Sequence, residues 1–149
     1  MQIRPLTPGY AVSPQIAAED VAAIRDAGYT TIISNRPDAE VAPDHHASEI
    51  RAAAEAAGLK FVENPVISGA LTMENVIAQG EAIAAADGPI LAYCASGNRS
   101  STVWALSQAG DQPTDDLIGL PARHGYQLEH LRPQIEALAA QKKNGQSRD

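Results

Sequence analysis

The chain has 149 residues, 44% of them hydrophobic and 19% charged, proportions that exclude disorder, collagen and coiled coil and suit one domain. Eleven lysines and arginines face 18 aspartates and glutamates, a net charge of −7, and this deficit of cations argues against nucleic acid or an anionic membrane surface as partner. No stretch approaches the roughly 20 apolar residues of a membrane helix, and the start Met1-Gln2-Ile3-Arg4-Pro5 lacks the pattern of a secretion signal, so a cytoplasmic location is expected.

Tyr10-Ala11-Val12 is the first predicted strand. Residues 17–27 read as a helix, with Val21 and Ile24 three apart and Gly28 as a stop. The β-branched run at 30–34 is a second strand and leads into the polar turn Asn35-Arg36-Pro37-Asp38. A helix at 44–57 ends at Gly58, and 59–62 is a third strand followed by the Asn64-Pro65 loop. A helix from 72 to 86 is capped by Thr72. The apolar run 90–93 suits a buried central strand, and helices follow at 100–109, 114–122 and 127–140. Residues 1–140 are expected to form one catalytic domain and 141–149 a polar tail. With 28 alanines and 4% aromatic residues, the core should be helix-rich and closely packed.

Strands alternating with helices imply an α/β fold, a mostly parallel sheet of four to five strands with helices on both faces. Chemistry in such folds gathers at the carboxyl ends of the strands, where loops 35–40, 63–70 and 94–100 should converge. The last of these holds the one cysteine of the chain, which rules out an internal disulfide and a four-cysteine zinc site.

Between the buried strand and the next helix runs Tyr93-Cys94-Ala95-Ser96-Gly97-Asn98-Arg99-Ser100. Consecutive amides of Ala95, Ser96, Gly97 and Asn98 curling toward a centre make an anion-binding nest, reinforced by the helix start. Gly97 allows a positive φ, and Arg99 offers a planar fork of donors to a tetrahedral oxyanion. A thiol in that field is stabilised as thiolate, with Ser100 placed to donate to it or to a leaving sulfur. The plainer alternative is a buried core cysteine followed by an ordinary turn. Asn35 and Arg36 are candidate substrate contacts, Asp38 and Glu40 candidate acids or bases. The adjacent His45 and His46 point about 100° apart on a helix and chelate poorly, so no metal is expected; no organic cofactor is required either. His124 and His130 are read as surface residues, Trp104 as core.

The loop resembles the active-site loop of rhodanese-type sulfurtransferases, with four residues between Cys94 and Arg99. Tyrosine and dual-specificity phosphatases have five. Together with Tyr10-Ala11-Val12-Ser13, residues 33–40, Gly88–Cys94, Trp104-Ala105-Leu106 and Gly125-Tyr126-Gln127-Leu128, it resembles the bacterial beta-lactamase-hydrolase-like proteins, phosphatase-like domain family, also described as rhodanese-like. That resemblance implies a three-layer tyrosine-phosphatase-like fold. It also implies a link to persulfide dioxygenases, to which some relatives are fused. The family loop usually has arginine directly after the cysteine. Ala95 stands there in this chain, which implies weaker anion binding unless Arg36 substitutes.

One residue fewer shortens the cradle by up to about 3.5 Å of chain, and a phosphoryl transition state needs donors around three equatorial oxygens. The segment Glu63-Asn64-Pro65-Val66, where phosphatases of this type place an acid, has no aspartate. Sulfur transfer is therefore the leading expectation: Cys94 takes sulfane sulfur from thiosulfate or a persulfide and passes it to an external thiol, glutathione or a thioredoxin-like protein. A cysteine phosphatase working through a Cys94 phosphocysteine is the alternative. An oxyanion- or persulfide-binding module without turnover is the third.

Overall fold

The computed structural model describes residues 1–146. Five strands form one sheet: β1 (Arg4–Thr7), β2 (Tyr10–Ser13), β3 (Thr31–Ser34), β4 (Lys60–Glu63) and β5 (Ile90–Tyr93), in the order β1-β2-β5-β3-β4. All neighbours are parallel except β1, which pairs antiparallel with β2. Sequence analysis overlooked β1, a four-residue edge strand carrying Pro5 whose register shifts between Pro5 and Thr7.

Strand alternation sorts the core onto two faces. Ala11, Ile32, Leu91 and Tyr93 point to one side and pack against α1 (Val21–Asp26) and α2 (Ala47–Ala56). Tyr10, Val12, Ile33 and Ala92 point to the other. There they meet α3 (Met73–Ala85), α4 (Asn98–Ser107), α5 (Thr114–Ala122) and α6 (Arg132–Gln146). Helices therefore cover both faces, giving three layers. Trp104, 1% exposed, stacks on Tyr10 in the second core.

Several boundaries moved for local reasons. The expected helix 44–57 is a 3-10 turn, Pro43–His45, then α2, because His46 is extended (φ −60°, ψ 152°). The helix expected at 17–27 likewise begins as a 3-10 turn, Ala18–Asp20. Thr72 caps α3 as expected, its hydroxyl accepting the Asn75 N–H at 3.2 Å. The last helix starts at Arg132 after a 3-10 turn, Glu129–Leu131, and continues to Gln146, through residues 141–146 of the expected tail. The rest of that tail, 147–149, lies outside the described residues. No helix among the described residues is long and apolar enough to cross a membrane.

Candidate active site

Four parallel strands end on the same side of the sheet, and their exits build the site. Cys94 follows β5 directly, and its N–H donates to Ser13 O at 3.4 Å, tying it to the end of β2. The chain then turns through Gly97, whose φ of +100° places it in the left-handed region before α4 begins. The Gly97 N–H donates to Cys94 Sγ at 3.1 Å. Cys94 is 0% exposed and counts among the buried core residues, its Sγ accepting the loop's own Gly97 amide.

Arg99 reaches across the loop's mouth. Its Nη1 and Nη2 each donate to Glu40 at 2.7 Å, and Nη1 also donates to Val66 O at 2.8 Å. Loops 35–40, 63–70 and 94–100 thus converge on one guanidinium, as their place at the strand ends required. The Arg99 pKa is raised, first by its hydrogen bonds to Glu40, with the neighbouring Cys94 adding to the effect. The Glu40 carboxyl is held below its ordinary value by the hydrogen bonds from Arg99, assisted by Arg36.

The structure reassigns several sequence expectations. Glu40 binds two guanidiniums and stays ionised, so it is no proton donor near neutrality. Asp38 Oδ1 accepts the Ala47 N–H at 2.8 Å, satisfying a free amide at the start of α2. Asn35 is 0% exposed, and its side chain is engaged inside the protein. Its amide donates to Asn64 O and Gln79 Oε1, both at 2.9 Å. The Ser100 hydroxyl donates to Asn35 Oδ1 at 2.9 Å, not to Cys94. Arg36 turns from the loop toward Glu40 and Gln15 Oε1, at 3.2 and 3.3 Å. It therefore does not supply the cation missing at Ala95. Ser96 Oγ accepts the Asn98 N–H at 3.2 Å, which uses one loop amide internally. His124 Nε2 lies 2.8 Å from Pro5 O, and His45 Nδ1 lies 3.0 Å from Asp44. Among the described residues no group of His, Cys, Asp and Glu is arranged to hold a metal ion.

Sequence reasoning missed Gln79, Asn64, Arg4 and Tyr126. Gln79 had a readable signal: it falls with Val76 and Ile83 on the buried stripe of α3, a polar residue where an apolar one belongs.

A thiol at the floor of an amide loop, with an arginine from the following helix beside it on a three-layer α/β sheet, defines a cysteine-dependent protein of phosphatase-like fold. The family model for the beta-lactamase hydrolase-like protein, phosphatase-like domain, matches residues 2–111. The chain belongs to that family. A Beta-lactamase hydrolase-like protein of Xylella fastidiosa is 32% identical over 143 residues, 95% of this chain and 33% of the relative. The chain spans about a third of the length of the curated relatives it matches. Among solved structures, a candidate phosphatase from Neisseria meningitidis is 31% identical with a TM-score of 0.78, covering 93% of this chain and 99% of that one. TpbA of P. aeruginosa, with its cysteine replaced by serine and in complex with pTyr, is 17% identical with a TM-score of 0.66, covering 95% of this chain and 90% of that one. These likenesses show the tyrosine-phosphatase-like fold that sequence analysis expected.

Proposed function

We propose that the chain is a cysteine-dependent phosphatase acting on phosphomonoesters with good leaving groups, aryl phosphates above all. The observation that carries this reading is the Cys94 thiol set against the Gly97 N–H beside Arg99, in a member of a phosphatase-like family. Cys94 attacks phosphorus, an S–P bond forms and the ester P–O bond breaks. Water then attacks the phosphocysteine, releasing phosphate and restoring the thiolate. Loop amides and the Arg99 guanidinium stabilise the charge that develops on the equatorial oxygens. Asp38 and Glu40 are committed elsewhere, so leaving-group protonation receives little help, and alkyl phosphates should be poor substrates. No metal or organic cofactor enters this scheme.

Sulfur transfer is the second reading, favoured by the four-residue spacing from Cys94 to Arg99 and by the engaged Glu40. Here the thiolate attacks the outer sulfur of thiosulfate, the S–S bond breaks, sulfite leaves and Cys94 keeps a persulfide. An external thiol then accepts that sulfur. Glutathione, a thioredoxin-like protein or a persulfide dioxygenase would be partners in that case.

The deciding experiment runs p-nitrophenyl phosphate hydrolysis beside thiosulfate with cyanide or glutathione, and records intact mass after each donor. Phosphate release with a phosphoryl adduct, absent in Cys94→Ser, is expected. Sulfur transfer with a one-sulfur adduct and no phosphate release would overturn the ranking. Anion binding without turnover in either assay would leave a binding module.

A further inference from the structure

We propose that Tyr126, backed by Arg4, is a positioning residue that fixes the peptide facing Cys94 and so sets how readily that thiol ionises. The inference rests on Cys94 being the nucleophile, whichever group it transfers.

The peptide joining Ser96 to Gly97 is trans, as are all peptide bonds in the structure, so its C=O and N–H point in opposite directions. The N–H donates to Cys94 Sγ at 3.1 Å, and the C=O accepts the Tyr126 hydroxyl at 2.7 Å. One contact therefore dictates the other: holding the carbonyl outward aims the amide inward. Arg4 Nη1 donates to the same Tyr126 oxygen at 2.6 Å and lies 3.5 Å from Ser96 O. Its charge reaches the loop both through the hydroxyl and directly at Ser96 O, and linked hydrogen bonds polarise one another, making the Gly97 N–H a stronger donor.

The hydroxyl is itself fixed in place. Tyr126 is 6% exposed in the core formed with α4, α5 and α6, and its backbone N–H donates to Pro121 O at 3.1 Å. Arg4 comes from the start of β1, which the antiparallel pairing brings to the active-site end of the sheet. The fit on the loop side is close: a Cβ on Gly97 would collide with Tyr126 Oη and stand 2.9 Å from Cζ. No other side-chain hydroxyl contacts this carbonyl among the described residues.

Tyr126→Phe keeps the ring and removes only the hydroxyl. Ultraviolet thiolate absorbance reports the titration of Cys94 without a substrate, because no other cysteine contributes. Loss of one hydrogen bond to the peptide should lower the ratio of thiolate to thiol at pH 7 about fivefold, the equivalent of roughly 1 kcal/mol. Arg4→Met should shift the midpoint in the same direction by less, and the double variant should shift it at least as far as Tyr126→Phe. An unchanged midpoint in Tyr126→Phe, whatever its melting temperature, would overturn the proposal; if that variant does not fold, an unchanged midpoint in Arg4→Met does so. Failure of the phosphatase reading is a separate result, seen as loss of phosphate release in a wild-type protein whose thiol titration still responds to Tyr126.

Discussion

Replacing Gln79 with leucine tests the polar layer beneath the Cys94 loop. Gln79 is 0% exposed. Its Oε1 accepts from Asn35 Nδ2 and Asn64 Nδ2, both at 2.9 Å, and its Nε2 donates to Tyr10 Oη at 2.9 Å and Asn35 Oδ1 at 3.2 Å. Four hydrogen bonds at about 1 kcal/mol net each set an upper figure of about 4 kcal/mol. Every partner keeps another bond: Asn35 Nδ2 to Asn64 O, Asn64 Nδ2 to Asn75 O, Tyr10 Oη to Ser100 O, and Asn35 Oδ1 from Ser100 Oγ. No buried group is left wholly unpaired, which brings the expected loss to about 2–3 kcal/mol. Urea unfolding followed by the fluorescence of Trp104, 1% exposed in the native state, measures it. A loss below about 1 kcal/mol with an unchanged slope would refute the idea that these bonds hold the three loops in register.

Other expectations follow from the same geometry. Cys94→Ser should abolish turnover and any covalent adduct by intact mass while leaving circular dichroism unchanged. Gly97→Ala combines a left-handed φ with the collision at Tyr126; chemical denaturation should show a loss of about 2–4 kcal/mol, from strain and overpacking. Tyr93 is pushed up to about 12 by burial, with the nearby Ser34 side chain pulling it back, but its hydroxyl makes no well-formed hydrogen bond among the described residues, so Tyr93→Phe should be neutral or stabilising by up to about 1 kcal/mol in thermal melts. Glu40 sits below its ordinary value when folded because Arg99 binds its carboxylate, so its stabilisation is present above the unfolded value near pH 4.3 and is lost as pH falls through the lowered one. The stability gap between wild type and Glu40→Gln should therefore be open at pH 7 and close in acid.

How far the sequence led can be judged residue by residue. Alternating β-branched and alanine-rich segments exposed the sheet, because a strand buried on both faces must be apolar, as the 90–93 run is. Glycine and arginine spaced after Cys94 exposed the loop, because an amide cradle needs a left-handed turn and a cation. Pairings across the fold were harder to see. Glu40 reads as a turn residue until Arg99, 59 positions away, is folded beside it. Asn35 reads as a strand-exit residue until Gln79 closes over it. Ser100 looked free to serve Cys94 because nothing local shows that Asn35 Oδ1 claims its proton. β1 escaped notice because four residues containing a proline carry almost no strand pattern.

That short first strand has a consequence for how the protein behaves in concentrated solution. It forms one margin of the sheet, where exposed backbone groups would otherwise recruit a matching segment from another molecule. Pro5 brings no N–H to such a union, and the shifted register beyond it breaks the even spacing that a visiting strand would need. Lacking a donor at Pro5 and an even register beyond it, this margin is a poor template for sheet growth.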